Sequence, residues 1–313
     1  MFPDNSSSTL WLTEYNTPYD AYCHGIVEVL YQATTSFQKL MIVRTGAYGK
    51  ALVLDGCWQS STTDEFLYHE PLVHPACVLQ GGPQMVLILG GGEGAALREV
   101  LKWRTVRQVA MVDLDADVVK ACRRHLPEMH QGAFDDPRSQ IIVCDAYDFF
   151  ENDNRKWDVI ISDLTDPIEG GPSYRLFTRE YFKKCRDALA PGGCFALQAG
   201  LAGPAEMEIH VRLANTVADV FDQAMHYTSQ VPTWASPMGF VMGMDRSIHW
   251  TDPEPGWTDT LLEEKTTGQF RMFDGRTMRG LMNPPKYLRE AIAAEKRVYT
   301  LTNPPHDGFQ GAV

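Results

Sequence analysis

The chain has 313 residues, 44% of them hydrophobic, enough to fill the core of one large domain or of a main domain with a smaller one. Its 40 acidic against 28 Lys and Arg residues leave a formal net charge of -12, which argues against a nucleic-acid or anionic-membrane surface and suits a cationic ligand. Seven scattered cysteines with no CxxC pair argue against a disulfide framework or a zinc site and favour buried, reduced thiols, as in the cytoplasm. Met1 to Ser8 shows neither a basic segment nor an apolar core, and no apolar run reaches the length of a membrane span, so a cytoplasmic protein is expected.

The runs Ile26 to Tyr31, Gln38 to Arg44 and Lys50 to Leu54 are short, β-branched or alternating, and Gly46, Gly49 and Gly56 punctuate them. They predict a small N-terminal antiparallel β domain over residues 1–80. After Gly81-Gly82-Pro83 the texture changes. Met85 to Leu89 predicts a strand, Ala95 to Trp103 a helix, Val109 to Val112 a strand and Asp117 to His125 a helix, a βαβ pattern that calls for a parallel sheet. Further strands are expected at Gln140 to Val143, Trp157 to Ser162, Cys194 to Gln198, Ala224 to Thr228 and Gly239 to Met244, with helices at Thr178 to Ala190 and Ala205 to Phe221. A Pro-rich, charged surface excursion from Arg246 to Trp257 precedes a last helix around Pro285 to Ala294. The expected architecture is α/β: residues 81–313 form a Rossmann-like, mostly parallel sheet of the class I methyltransferase kind with a helical C-terminal extension.

Acids stand at the ends of successive strands. Gly90-Gly91-Gly92-Glu93-Gly94 follows the first parallel strand and opens a helix, where glycines permit a tight turn and close approach of a ligand. Alone such a turn is weak evidence, since it also serves to pack a strand on a helix. Asp113 ends the next strand about twenty residues on, where nucleotide folds bind ribose hydroxyls. Asp145, before Ala146, is placed to accept from an adenine amino group or, more plainly, to cap a helix. Asp163 and Asp166 close the series in Asp163-Leu164-Thr165-Asp166-Pro167, directly after Val159-Ile160-Ile161. Two aspartates in a turn are as readily a polar loop as a site. No lysine follows the glycines as in a P-loop, and Glu93 repels both a pyrophosphate and the carboxylate of S-adenosylmethionine. Decarboxylated S-adenosylmethionine, with ribose, adenine, sulfonium and a free amine, fits this set of acids.

The chain resembles the polyamine aminopropyltransferases of the spermidine synthase family across nearly its whole length. The resemblance rests on Leu54-Asp55-Gly56 with Gln59, Asp64-Glu65-Phe66 with Tyr68-His69-Glu70, GGGEG with Leu97-Arg98-Glu99-Val100, Asp135-Asp136-Pro137-Arg138, the Asp163 to Pro167 run, Leu176-Phe177-Thr178, and Pro191-Gly192-Gly193 with Gln198. The GGGEG turn and the long Ile168 to Pro172 loop are most similar to the branch of thermospermine and aminopropylagmatine synthases. The resemblance implies that Asp113 holds the ribose, Asp145 and Ala146 the adenine edge, and Gln59 the far side of the nucleoside. Gly90 belongs to the turn beneath the donor, and Glu93 with Asp163 takes its amine. Tyr68 and Asp163 orient the attacking nitrogen and take its proton, Asp166 meets the acceptor's distal charge, and His69 lines the pocket unless it is simply a core histidine. Trp234 stands where many relatives carry Tyr and offers an indole face to an alkylamine or simple packing. The donor is a co-substrate, so no metal or redox cofactor is implied. The acceptor is a cationic polyamine, putrescine first and longer amines next, and the N-terminal strands with Trp11 suggest a homodimer or homotetramer. A methyltransferase and a non-catalytic nucleoside-binding protein are the alternatives from other classes.

Overall fold

The computed structural model describes residues 10–167, 173–245 and 254–305. An antiparallel five-stranded sheet comes first, in the order β1-β2-β3-β4-β5, with β1 at Leu10–Thr17, β2 at Asp20–Thr34, β3 at Lys39–Thr45, β4 at Lys50–Leu54 and β5 at Cys57–Ser61. The outer strands β1 and β5 go beyond the three strands expected from the sequence. Among the β1 and β2 side chains, Leu10, Trp11, Tyr15, Val27 and Val29 stay exposed, whereas Leu40, Ile42, Leu52 and Leu54 pack on Ala95, Val118, Ala121 and Met129 of the following region.

Helix α1, Phe66–Gln80, corrects the expected boundary at residue 80: these residues do not belong to the β region but are helical and lie against the second sheet. Two interior prolines, Pro71 and Pro75, and burial on every side from Tyr68 to Leu79 remove the one-sided periodicity by which a helix is recognised. Each proline frees a carbonyl four residues earlier, and both are satisfied from one neighbouring strand. Ser229 Oγ donates to Leu67 O at 2.7 Å and the Tyr227 hydroxyl donates to Pro71 O at 2.8 Å.

The second sheet has seven strands in the order β11-β12-β10-β9-β6-β7-β8. They are β6 Met85–Gly90, β7 Gln108–Asp113, β8 Ser139–Val143, β9 Trp157–Asp163, β10 Leu189–Leu201, β11 Gln223–Gln230 and β12 Pro237–Met244, and only β12 runs against its neighbours. Between them run α2 Ala95–Leu101, α3 Ala116–His125, the short α4 Pro127–His130, α5 Ala146–Asn152, α6 Arg179–Ala188 and α7 Glu208–Ala218. The Rossmann-like expectation holds. Because β6 lies inside the sheet and the chain first steps outward to β7 and β8, then returns to β9 on its other side, the crevice for a ligand opens beyond the carboxyl ends of β6, β7 and β9.

The C-terminal extension comprises α8 Pro255–Lys265, α9 Gly275–Leu281 and α10 Lys286–Ala294. Of the surface excursion expected over 246–257, residues 246–253 lie outside the described residues. The extension is tied to the core by Glu70 of α1, whose buried carboxylate accepts from the backbone N–H of Arg271, Met272 and Phe273 at 2.7, 2.8 and 2.8 Å. Four of the seven cysteines are buried, and none is in a disulfide.

Candidate active site

A cleft of about 1580 Å³ opens at the carboxyl edge of the parallel strands and is lined from both sheets. Gln59, Tyr68, Gly90, Glu93, Asp113, Asp145, Ala146, Asp163, Asp166 and Trp234 all border it. Sheet geometry accounts for the convergence, since Gly90 pairs with Asp163 across β6 and β9, and Asp113 ends the adjacent β7.

The glycine turn is shaped by two of these acids. A Cβ on Gly90, which has φ of +84°, meets the backbone oxygen of Asp163 at 2.2 Å, and one on Gly92 meets Asp113 Oδ2 at 2.8 Å. Side chains are excluded there because carboxyl-bearing strand ends press directly on the turn. Asp113 also accepts from Asp115 N at 2.9 Å, and burial pushes its carboxyl up to about 6. Asp145 acts as the N-cap of α5, accepting from Tyr147 N at 2.8 Å, while Arg175 Nη2 lies 2.5 Å from its other oxygen. Gln59 Nε2 donates to Cys57 O at 3.1 Å.

Asp163 is met by the Tyr68 hydroxyl, which donates to Oδ1 at 2.6 Å. Burial pushes Asp163 up to about 6 despite the opposing pull of the His69 charge and the Tyr68 bond, and the charge of Glu93 adds to the rise. Burial and then Asp163 push the Tyr68 phenol far above its ordinary value, so it remains a donor. Gln198 sets Asp166: its Nε2 bridges Leu164 O at 2.7 Å and Asp166 Oδ1 at 2.9 Å, while its Oε1 accepts from Gly200 N at 2.9 Å. Asp166 too is raised, by burial. At neutral pH Asp113 and Asp163 are therefore mostly ionised and face an open cavity, the arrangement a cation fits.

One expectation is corrected. His69 does not line the cleft: it is fully buried behind Glu93, with Nδ1 2.9 Å from Glu65 Oε2 and Nε2 3.0 Å from Glu93 Oε1. It sits on α1 one residue after Tyr68, so the helix turns Tyr68 to the cavity and His69 into the protein. Trp234 borders the cleft, and its indole N–H is already used, donating to Trp58 O at 3.1 Å. What it offers the cleft is its ring, packed edge-on to Tyr68 at 5.2 Å between centroids. The long loop 168–172 lies outside the described residues.

Sequence reasoning passed over several residues. Glu14, on the unrecognised β1, borders the cleft and accepts from Trp58 N at 2.6 Å. Burial pushes it up to about 7. Asp64 ties the end of β5 to the loop before β12, accepting from Ser61 Oγ at 2.5 Å and Thr233 N at 3.1 Å, which seats Trp234. Asp115 caps α3 and accepts from Thr35 Oγ1 at 2.6 Å and Gln38 Nε2 at 3.1 Å, clamping the turn between β2 and β3 to the start of α3. The one signal in the sequence was membership of a family motif, for Asp64 and for Glu65.

Residues 65–249 match the family model described as the spermine/spermidine synthase domain, and residues 10–62 match the one described as the spermidine synthase tetramerisation domain. The chain belongs to the spermine/spermidine synthase family. This family member is 50% identical over 305 residues to a polyamine aminopropyltransferase of Synechococcus sp. (strain JA-2-3B'a(2-13)), covering 95% of this chain and 97% of that protein. It is 45% identical over 295 residues to the polyamine aminopropyltransferase of Aeropyrum pernix, covering 94% of each. Among solved structures it is similar to a spermidine synthase in complex with the transition-state analogue AdoDATO, with a TM-score of 0.84, 26% identity and coverage of 92% and 96% of the two chains. The spermidine synthase of Thermotoga maritima gives 0.82 at 26% identity, covering 91% and 95%. The activity of this family member is aminopropyl transfer, and its fold is that of the spermidine synthases. No helix among the described residues is long and apolar enough to cross a membrane.

Proposed function

We propose that the cleft binds decarboxylated S-adenosylmethionine and transfers its aminopropyl group to a linear polyamine carrying at least two cationic nitrogens, putrescine being the first choice. The observation that carries this reading is Asp163, a carboxylate with a neutral hydrogen-bond donor, Tyr68, and no direct cation partner among the described residues, facing a cleft that also exposes Glu93 and Asp166. In the reading, Asp113 takes the ribose hydroxyls, Asp145 and Ala146 the adenine edge and Gln59 the far face of the nucleoside. Glu93 with Asp163 takes the donor's amine, and Asp166, set by Gln198, takes the acceptor's distal ammonium.

The acceptor's nitrogen lone pair attacks the carbon next to sulfur. That lone pair is freed when Asp163 takes a proton from the acceptor's proximal ammonium; the C–S electrons then return to sulfur, and methylthioadenosine leaves as a neutral thioether. Positioning nitrogen and carbon in line supplies much of the rate, because the sulfonium is already a good leaving group. An alkylammonium with a pKa of roughly 10 is a poor match for a carboxylate. The sulfonium closes part of that gap, since its charge lowers the acceptor amine's pKa once both substrates are bound. Asp166 meanwhile keeps the distal nitrogen charged.

One observation favours a second reading, in which the acceptor is longer. The cleft continues past Trp234 to Glu14: Trp234 touches Tyr68 on one side, and on the other donates to Trp58 O, whose own N–H binds Glu14. A further acid there suits a third cation. The deciding experiment compares kcat/KM for putrescine, agmatine, spermidine and cadaverine with decarboxylated donor, reading methylthioadenosine release. Putrescine is expected to lead. A lead for spermidine or agmatine moves the assignment to the longer acceptor. Methyl transfer from intact S-adenosylmethionine, with no methylthioadenosine formed, would overturn both readings in favour of a methyltransferase. The first sheet, with its exposed Trp11 and Tyr15 and its match to a tetramerisation domain, supports a homo-oligomer assembled through that sheet.

A further inference from the structure

We propose that His69 is a positioning residue, a buried imidazolium that holds Glu93 in aim and supplies a fixed positive charge behind Glu93 and Asp163, itself held by Glu65 and Arg98. The inference rests on reading the cleft as the aminopropyl-transfer site. Three groups face His69. Glu65 meets Nδ1 through both its backbone oxygen and Oε2, each at 2.9 Å, Glu93 meets Nε2 at 3.0 Å, and the Tyr68 ring stands edge-on at 4.8 Å, with its hydroxyl on Asp163. An ionised carboxylate only accepts, and a neutral imidazole has a single N–H. Nδ1 is hydrogen-bonded to Glu65, while the approach of Nε2 to Glu93 is a charge contact without hydrogen-bond geometry; a carboxylate beside each ring nitrogen favours the doubly protonated ring. Burial pulls the imidazole down, but Glu65 and Glu93 outweigh it and push His69 up to about 10.

Behind His69 the alternation of charge continues. Arg98 Nη2 lies 2.8 Å from Glu65 Oε2 and 2.7 Å from Glu99 Oε1, its Nη1 donates to Met129 O at 2.6 Å, and Glu99 Oε2 meets Lys102 Nζ and His74 Nε2 at 2.8 Å each. If His69 swings away, Glu65 keeps Arg98 but the buried Glu93 loses the cation at 3.0 Å. Its consequence for the chemistry is directional. Glu93 Oε1 is committed to His69, so Oε2 remains for the donor's ammonium. The same positive charge counteracts burial at Asp163, where Glu93 acts in the opposite sense.

The test uses the full-length protein and two ligands that differ in the aminopropyl amine. Calorimetry on His69→Gln is expected to show roughly ten-fold or more weaker binding of decarboxylated S-adenosylmethionine, the loss of the buried charge that holds Glu93, with methylthioadenosine binding unchanged within about two-fold. The acidic limb of kcat/KM for the donor is expected to move to higher pH by roughly one unit. Equal weakening of both ligands, or an unmoved limb, assigns His69 to structure alone and overturns the proposal. Should His69→Gln fail to fold, 15N-labelled wild-type protein at pH 8 decides the same point: a doubly protonated His69 ring supports the proposal, and a neutral ring overturns it. Absence of methylthioadenosine release by the wild type defeats the reading of the site, whereas the contrast between the two ligands is read without turnover.

Discussion

Two sets of carboxylates, one fully buried behind the cleft and one half-buried along it, behave oppositely. Glu65 and Glu99, behind the cleft, are each matched by cations; burial works against their charge, but His69 and Arg98 for the one, and His74, Arg98 and Lys102 for the other, hold them below the usual carboxylate range. Asp113, Asp163 and Asp166, at the strand ends, meet neutral donors among the described residues and are raised by the same burial. The first set stabilises a fold. The second keeps its charge in reserve for cations that arrive from solution, at the cost of desolvation until they do.

The sharpest way to break this comparison is to neutralise an unpaired acid. Asp163→Asn is expected to lower kcat by roughly 10² to 10⁴-fold, the range of a lost general base, while decarboxylated donor binding weakens much less. Steady-state kinetics beside calorimetric donor binding checks it, and parallel loss in the two would remove Asp163 from the role of base. Next in size is the opposite manipulation. Arg98→Met strips a cation from the paired set, leaves Glu65 and Glu99 under-compensated, and is expected to cost about 3–5 kcal/mol of stability in denaturant unfolding. A loss below roughly 1 kcal/mol would mean that Arg98 contributes like a surface ion pair and that the two sets do not differ.

How much of this contrast is legible in the sequence follows from which interactions are local. Strand ends are local: an apolar run stopped by an acid, as in Val159-Ile160-Ile161 before Asp163, marks a residue at the carboxyl edge of a sheet. So Glu93, Asp113, Asp145, Asp163 and Asp166 stand out, and the cleft gathers them. The paired set is not legible because α1 is not. Its prolines are made tolerable by Ser229 and Tyr227, more than 150 residues away in the chain, and no local pattern announces such partners. With α1 unread, nothing assigns Tyr68 and His69 to opposite sides of a helix, hence the expectation of His69 in the pocket. Glu14 is lost likewise, since β1 is unrecognised and the partners that draw it inward, Trp58 N and His24, are set by the fold.

A smaller effect separates the sets by sign. A carboxyl whose folded pKa lies above its unfolded value contributes stability below the unfolded value and loses it as pH rises through the folded one. For Asp163 that window runs from 3.8 to about 6. Because the group borders an open cleft, the full shift is discounted, and Asp163→Asn is expected to gain about 1–2 kcal/mol over wild type at pH 7 relative to pH 4. Glu65, whose pKa is lowered, has the reverse sign: its contribution is present at neutral pH and fades in acid. Urea unfolding of Asp163→Asn and Glu65→Gln at both pH values checks this. The two variants shifting in the same direction would erase the distinction.

The finest probe is the hydroxyl of Tyr68, which donates to the Asp163 carboxylate and lowers its pKa. Removing it in Tyr68→Phe leaves a carboxylate with even less support, so the acidic limb of kcat/KM for the donor, which reports the free enzyme and is expected near pH 6, should rise by a fraction of a unit. Saturating the enzyme with donor acts in the opposite direction, because the sulfonium and the ammonium supply the cations that the strand-end acids lack. The limb in kcat/KM for the acceptor is then expected below 6, and the gap between Tyr68→Phe and wild type should narrow. A limb that ignores bound donor would mean that Asp163 does not sense the sulfonium, and the proposed lowering of the acceptor amine's pKa by that same charge would lose its support.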